Sequence, residues 1–384
     1  MKILMLTSPP AQHFKAICNE KRMHIGILYI ISILEQEKHE VDLLDLYLLE
    51  KKLPDIMKYD FVGLYCSTVT FLPALRILAV LNCQRKRGWR GKIMAGGPHV
   101  SLFPSAFPEF VDFLVKGEGE YAVRDIVNGK IKTRITRYPR IENLDELPRP
   151  SYRHYKKLPY PAWDTKFIGT EPIATMNTSR GCVHSCAFCS VGSIWGKRFT
   201  YHSAERICDD ILYLMKEFGI EGVNFREDNF TSNIQRVFDF CNLLLKKRIA
   251  IKWICETRVD DLTFELMEIM QASGCRGIYI GIEAATERLL KILNKRITLD
   301  QIRRVSKWCH TLGINIHASF ITNIPEETEN DKRAMIELIK EIRPQSVRIN
   351  RYRGFPGSKI YDYLLRNNLY RSISCEGLLD IEDS

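Results

Sequence analysis

Three cysteines, Cys182, Cys186 and Cys189, fall within eight residues of a 384-residue chain, at the spacing C-x₃-C-x₂-C. Thiolates crowded onto one short loop can each hold one iron of a [4Fe-4S] cluster, and a missing fourth cysteine leaves one iron open to a substrate or cofactor. An all-cysteine structural zinc site takes four ligands, usually as two C-x₂-C pairs. His184 could complete a zinc site by count, but it stands between two of the cysteines, where joint ligation is awkward. Chance clustering of buried cysteines and structural zinc are the alternative readings. Gly181 lets the loop start tightly, and Phe188 offers an apolar cover that limits solvent access and tunes the potential. The other nine cysteines, at positions 18, 66, 83, 208, 241, 255, 275, 309 and 375, stand apart, mostly in apolar patterns. They read as small buried hydrophobes rather than a disulfide framework.

The triplet needs a scaffold, and the second half of the chain supplies a regular one. Strands are predicted at 173–177, 222–226, 251–255, 277–282, 315–321 and 346–350. Helices at 204–217, 234–247, 261–272, 287–293, 299–312 and 331–342 alternate with them. Six β/α repeats predict a partial (β/α)₆ TIM-type barrel with its site at the carboxyl ends of the strands. The first half alternates likewise, with strands at 2–6, 41–44, 61–65, 93–95 and 113–115 and helices at 25–36 and 72–84. That pattern predicts an α/β, doubly wound Rossmann-like sheet of five strands, with its ligand beyond the strands' carboxyl ends. The segments there are Thr7-Ser8-Pro9-Pro10, Cys66-Ser67-Thr68, Gly96-Gly97-Pro98-His99 and Gly117-Glu118-Gly119-Glu120. All are small, polar or glycine-rich, as backbone approaching a large flat ligand requires. Pro139, Pro148, Pro150, Pro159 and Pro161 interrupt the pattern between the halves. The expected organisation is a first domain at 1–127, a linker at 128–169, the partial barrel at 170–360 and a short extension at 361–384.

Composition excludes several other classes. The chain is 45% hydrophobic and 27% charged, as ordinary globular proteins are. No apolar run approaches the roughly 20 residues a bilayer span needs. MKILMLTSPP has too short an apolar run for a secretory leader, so a cytoplasmic protein is expected. The net charge of +10 comes from scattered Lys and Arg without a basic block, which reads as a solvated surface and makes a nucleic-acid partner unexpected.

The stretch Asn177-Thr-Ser-Arg-Gly-Cys-Val-His-Ser-Cys-Ala-Phe-Cys-Ser190 resembles the signature loop of the radical SAM superfamily. In that family the open iron chelates the amino and carboxylate groups of S-adenosylmethionine. One electron then breaks the S–C5′ bond, giving methionine and a 5′-deoxyadenosyl radical that abstracts a substrate hydrogen. The resemblance extends along the strand ends and implies roles there. Within Phe225-Arg-Glu-Asp-Asn-Phe230, Asp228 rather than Glu227 would meet the methionyl ammonium. Arg258 would meet the carboxylate, Glu283 of Gly281-Ile-Glu283 the ribose hydroxyls, and Ile321 and Asn323 the adenine, with Phe188 beside the cluster. Asn323 stands where the family usually has glycine and Ala284 where serine is common. Arg351 and Arg353 replace apolar residues in the turn before Pro356-Gly357 and are candidates to face an anionic substrate. The family also implies an external electron donor of flavodoxin or ferredoxin type.

The amino-terminal half resembles the cobalamin-binding domain that precedes many radical SAM modules. The resemblance rests on Met23-His-Ile-Gly-Ile-Leu-Tyr-Ile30, Gly63-Leu-Tyr-Cys-Ser-Thr68, Ala95-Gly-Gly-Pro-His99 and Val115-Lys-Gly-Glu-Gly-Glu120, with the joining segment Ile141-Glu-Asn-Leu-Asp-Glu-Leu-Pro148. It implies cobalamin contacts from Ser8, Pro9, Ser67, Thr68, Gly96, Gly97, His99, Gly117 and Glu118. No D-x-H-x-x-G motif is present, so cobalamin is expected without a protein imidazole on cobalt; His99 is the exception to weigh, against a purely structural role. A domain that has lost corrinoid and serves only as packing is the competing reading. Beyond the barrel Cys375 stands alone, so no auxiliary cluster domain of the multi-cysteine kind is expected. The short extension suggests a small substrate or a partner protein. The expected activity is cobalamin-dependent methylation of an unactivated carbon in a small metabolite. Rearrangement, cyclisation, ring contraction or heteroatom exchange with the same cofactors is the rival, and a non-catalytic corrinoid or iron–sulfur sensor the reading from another class.

Overall fold

The computed structural model describes residues 1–14, 23–48, 52–160 and 162–381, with backbone alone at 162 and 163. Cys18, Pro161 and the last three residues of the expected extension lie outside the described residues. The chain forms two compact units, Met1–Pro161 and Ala162–Ser384. Among the described residues, no helix is long and apolar enough to cross a membrane.

In the first unit, short apolar runs become β1 (Lys2–Thr7), β2 (Glu40–Asp45), β3 (Phe61–Tyr65), β4 (Lys92–Gly96) and β5 (Phe113–Lys116). Between them lie α1 (Ile25–Gln36), α2 (Phe71–Lys86) and the short α3 (Pro98–Leu102), and α4 (Glu120–Val127) follows. A sixth strand, β6 (Ile135–Arg137), extends the sheet, whose order β2-β1-β3-β4-β5-β6 is parallel throughout. The order reverses between β1 and β3, the position where open α/β sheets bind ligands. Alternate side chains face opposite ways along each strand. Leu4, Leu6, Val62, Leu64, Ile93, Ala95 and Leu114 share one core with Phe71, Ala74, Leu78 and Leu81 of α2. On the other face, Gly119 is wedged between Ile30 of α1 and Val115 of β5, where a Cβ would lie 2.9 Å from the isoleucine.

The expected five-strand sheet is thus corrected to six. β6 escapes sequence reading because it is three residues long and Ile135 is 46% exposed at the sheet edge, so it lacks a buried strand's apolar run. The proline-rich segment contributes packed residues of its own. Leu144, Leu147, Tyr152 and Leu158 are buried, and Ser151 N donates to Leu28 O at 3.2 Å, which places most of 128–160 with the first unit. Cys83 and Cys375 are exposed, contrary to the expectation of burial, whereas Cys66, Cys208, Cys241, Cys255, Cys275 and Cys309 are buried.

The second unit begins with α5 (Ala162–Ile168) and β7 (Ile173–Met176), followed by a small antiparallel pair, β8 (Ser179–Arg180) and β9 (Thr200–Tyr201), flanking α6 (Val191–Trp195). The repeats continue through α7 (Ala204–Phe218), β10 (Gly222–Phe225), α8 (Ile234–Lys246), β11 (Lys252–Thr257), α9 (Phe264–Ala272), β12 (Cys275–Glu283), α10 (Glu287–Ile292) and α11 (Leu299–Leu312). They close with β13 (Asn315–Thr322), α12 (Glu329–Ile342) and β14 (Ser346–Arg351); α13 (Lys359–Arg366) and the pair β15 (Ser372–Ile373) and β16 (Leu379–Asp380) follow. Strands β7, β10, β11, β12, β13 and β14 pair in parallel and in chain order, forming the partial barrel. Helix limits follow local signals: Ser203 caps α7 through Arg206 N and Gly219 ends it at φ +63°; Thr298 and Gln301 form a capping box on α11 and Gly313 ends that helix at φ +66°.

The strand interiors are polar where α5 meets them. Asp164 is fully buried and accepts hydrogen bonds from Asn224 Nδ2 at 2.6 Å and Tyr279 OH at 3.0 Å. Gly277 leaves room for the Phe167 ring, whose Cε1 lies 2.4 Å from where a Cβ would stand. Outside, Phe225, Phe230, Phe240 and Trp253 pack as one aromatic cluster with centroids 4.7–6.1 Å apart. Trp253→Ala is expected to remove about 3–5 kcal/mol of stability, measured by denaturant unfolding of the purified protein.

Candidate active site

The cysteine loop leaves the carboxyl end of β7 and is held at its root by one carboxylate. Glu227, whose side chain is fully buried, accepts hydrogen bonds from Thr178 N, Thr178 Oγ1 and Ser179 Oγ. Arg236 of α8 stands 3.6 Å from the same carboxylate and donates to Thr178 O at 3.1 Å and Phe230 O at 2.8 Å. Gly181 then turns the chain at φ +88°, where a Cβ would come within 2.2 Å of Arg198 O, so only glycine fits. Its N–H donates to Asp228 Oδ2 at 3.0 Å. Neighbouring acids after β10 therefore divide their work. Glu227 is spent inside on the loop's root, and the exposed Asp228 lies on the cysteine side.

Contacts from distant segments fix the rest of the loop. Ala187 N donates to Leu293 O at 2.7 Å, Ile360 N donates to Ala187 O at 3.0 Å, and Asn294 Nδ2 donates to Ser185 O at 2.7 Å. Cys182, Cys186 and Cys189 are half-buried and free of disulfides. Burial pushes the Cys189 thiol up to about 12, with Cys186, Asp228 and Cys182 adding to the effect; burial raises Cys182 as well. A cluster takes its cysteines as thiolates, so it must displace these protons as it binds, and three free sulfur donors on one short loop are the ligand set it uses. The donor set therefore fits an iron–sulfur cluster held by three thiolates.

Arg258 is held in this site by contacts within the chain. Its Nε and Nη2 are each 2.9 Å from Asp260, its Nη2 donates to Lys295 O at 2.6 Å, and its Nη1 reaches Cys186 Sγ at 3.5 Å. The carboxylate it meets in the structure is thus Asp260. His184 Nε2 lies 3.9 Å from Asp261, and burial together with Arg258 holds its imidazole below the usual value. Glu283 lies at a bulge where β12 shifts register against β13. It has φ +70° and centres a γ-turn closed by Ala284 N and Ile282 O at 3.0 Å, a strained conformation for a non-glycine residue. Lys295 Nζ stands 3.1 Å from Glu283 Oε1 and 5.9 Å from the Phe188 ring centroid. Lys295 escapes sequence reading because a lysine just after a helix reads as a surface group.

Ile321 is buried at the end of β13, and Asn323 takes φ +61°, which explains an asparagine where glycine is usual, since it tolerates the left-handed region. Its N–H donates to Glu327. Arg351 and Arg353 are both exposed, and Arg351 Nη2 lies 3.4 Å from Ile381 O.

In the first unit, the expected contacts gather at the carboxyl edge of the sheet, though many of their polar groups serve the loops themselves. Buried Ser8 donates to Thr70 O at 3.1 Å, Ser67 N donates to Thr70 Oγ1 at 3.0 Å, and Pro9 is half-buried. Gly97, at φ +108°, follows Gly96 and would place a Cβ 2.6 Å from Cys66 O. Gly117, at φ +73°, donates its N–H to Ser101 Oγ at 2.9 Å, and Glu118 accepts from Ile141 N at 2.6 Å. His99 belongs to α3 rather than a loop. Its buried ring packs 4.1 Å from Phe71 and its Nδ1 is 3.2 Å from Thr68 Oγ1. Two residues that sequence reading does not single out stand at the same edge. Asp45 accepts from Thr7 Oγ1 at 2.6 Å and from Tyr155 OH, and the His24 ring lies 4.3 Å from Tyr65 and 4.9 Å from Tyr47. His24 Nε2 is buried and has no hydrogen-bond partner among the described residues. A glycine-lined edge with an unsatisfied buried nitrogen fits a large polar ligand such as a corrinoid.

Residues 176–339 match the model of the radical SAM superfamily. Residues 21–127 match the B12-binding domain. The chain therefore belongs with the radical SAM enzymes that carry an amino-terminal cobalamin-binding domain. An uncharacterized methyltransferase of Pyrococcus horikoshii is 28% identical over 96% of this chain and 84% of its own length. An anaerobic magnesium-protoporphyrin IX monomethyl ester cyclase of Synechocystis is 24% identical over 89% of this chain and 72% of its own. Among solved structures, the radical S-adenosylmethionine methyltransferase TsrM of Kitasatospora setae superposes with a TM-score of 0.73 at 17% identity, over 95% of this chain and 76% of that one.

Glu227→Ala would leave Arg236 buried without its carboxylate partner. The expected result is a loss of about 3–5 kcal/mol in unfolding free energy, together with reduced iron per chain after anaerobic reconstitution.

Proposed function

We propose that this enzyme methylates an unactivated carbon of a small molecule, using S-adenosylmethionine, a [4Fe-4S] cluster and cobalamin. The observation that carries this reading is the trio of free thiols on a loop pinned by distant segments, beside strand-end carboxylates, in a chain that also has a B12-binding domain. When bound, the cluster supplies the electron that cleaves S-adenosylmethionine to methionine and a 5′-deoxyadenosyl radical, and cobalamin supplies the methyl group. The chain's own residues orient and shield. Cys182, Cys186 and Cys189 would hold the cluster, and Phe188 would shield it from water. Asp228 receives the methionyl ammonium and Glu283 the ribose hydroxyls. Ile321 and Asn323 border the adenine, and Arg258 stands beside the cysteine loop, its Nη1 3.5 Å from Cys186 Sγ. The edge formed by Ser8, Ser67, Thr68, Gly97, Gly117 and His24 takes the corrin. Arg351 and Arg353 favour an anionic substrate, and a flavodoxin- or ferredoxin-type protein delivers the electron.

The cyclase relative favours a second reading, in which the same cofactors drive ring formation without methyl transfer. Mass spectrometry of the product separates the two. Methylation adds about 14 mass units alongside 5′-deoxyadenosine, whereas cyclisation gives 5′-deoxyadenosine without that gain. Replacing Cys189 with alanine is expected to abolish 5′-deoxyadenosine formation and lower bound iron, read by chromatography and metal analysis of anaerobic protein. Reduced, reconstituted protein that forms no 5′-deoxyadenosine with any candidate substrate would point to a sensor instead.

A further inference from the structure

One buried residue, Lys295, joins two parts of the site that come from different strands. Its ammonium is 3.1 Å from Glu283 Oε1, and its backbone carbonyl accepts from Arg258 Nη2 at 2.6 Å. Arg258 in turn reaches Cys186 Sγ at 3.5 Å. A continuous set of contacts therefore runs from the carboxylate after β12 to a cluster cysteine, and Lys295 is its middle member. The space is made for it: a Cβ on Gly281 would lie 2.3 Å from Glu283 Oε1 and 3.0 Å from Lys295 Nζ. The lysine side chain is only 6% exposed, so its charge has little water to lean on. An ammonium kept in such a place needs a fixed anion beside it.

Glu283 is also held in a strained conformation, centring a γ-turn at φ +70°. Such a conformation persists only where surrounding contacts hold it. Neighbouring contacts anchor the segment that carries Lys295: Leu293 O receives Ala187 N at 2.7 Å, Asn294 reaches Ser185 O at 2.7 Å, and Lys295 O receives Arg258. The ammonium is thus tied to the same loop that bears the cysteines.

We propose that Lys295 is a positioning residue for S-adenosylmethionine, holding the Glu283 carboxylate at the nucleoside while its carbonyl holds Arg258 against Cys186. This rests on the reading of Glu283 as the ribose carboxylate. Lys295 acts through Glu283 and sets how tightly the nucleoside binds, whereas the backbone contact to Arg258 survives any change of side chain. Affinity for S-adenosylmethionine should therefore separate from cluster content.

The test uses the full chain, anaerobically reconstituted, as wild type, Lys295→Met, Lys295→Arg and Glu283→Ala. Iron and sulfide are quantified, and 5′-deoxyadenosine formation is followed against S-adenosylmethionine concentration. Lys295→Met is expected to keep wild-type iron and sulfide, to raise KM about tenfold or more, and to lower kcat less than about threefold, with Lys295→Arg recovering most of the loss. A wild-type KM in Lys295→Met, with a raised KM in Glu283→Ala, overturns the role of Lys295 and leaves the nucleoside reading intact. A wild-type KM in Glu283→Ala overturns the nucleoside reading itself. Loss of iron or sulfide in both Lys295 variants makes the residue a structural support of the cluster loop and overturns the proposal as well.

Discussion

A single buried carboxylate, that of Glu227, decides whether the cysteine loop has a defined starting point. It gathers two hydroxyls and one backbone N–H from Thr178 and Ser179, and Arg236 balances its charge. Removing two charges from water is costly, and only a nearly complete set of partners offsets it. The same burial makes the arrangement intolerant of half measures, because either member alone would be an unpaired ion in an apolar wall. The guanidinium is held further by the Phe230 ring 4.8 Å away, which belongs to the aromatic cluster outside β10 and β11. Site and core are therefore one packing problem in this unit.

From that root the chain's chemistry follows by proximity. Strands of equal direction end on the same side, so β10, β11, β12 and β13 each deliver their following residues to one mouth. Each strand end is then individually shaped: an acid pair after β10, an arginine locked by its own aspartate after β11, a bulge and γ-turn after β12, and a left-handed asparagine after β13. Left-handed backbone at non-glycine residues occurs at both ends of the strands: at Glu283 and Asn323 on the side where ligands are expected, and at Arg248 and Arg343 where helices turn back into strands, beside the glycine turns at Gly219 and Gly313.

Much of this is legible in the sequence, for physical reasons. Buried parallel strands read as short apolar runs, and caps such as Ser203 and Thr298 mark their helices locally, so the barrel's alternation can be drawn from the residues. The triplet is legible because spacing alone puts three thiols on one loop. What escapes depends on contacts remote in sequence. Lys295 gains meaning only from Glu283 and Arg258, and Glu118 proves to clip Ile141 back to the sheet. His99 reads as a loop residue in sequence and becomes a packed one only once Phe71 and Phe107 close around it. Edge strand β6 fails for a local reason: its three residues are exposed or half-exposed and give no apolar run to read.

The hydrogen bond from Ile360 N to Ala187 O has a consequence for biogenesis. During synthesis the thiols emerge long before the partner that seals their backbone, since Ala187 and Ile360 are 173 positions apart (360 − 187). A nascent chain carrying only the first repeats would present the trio without its last clasp. The backbone clasp around Ala187 is therefore complete only once translation has passed Ile360.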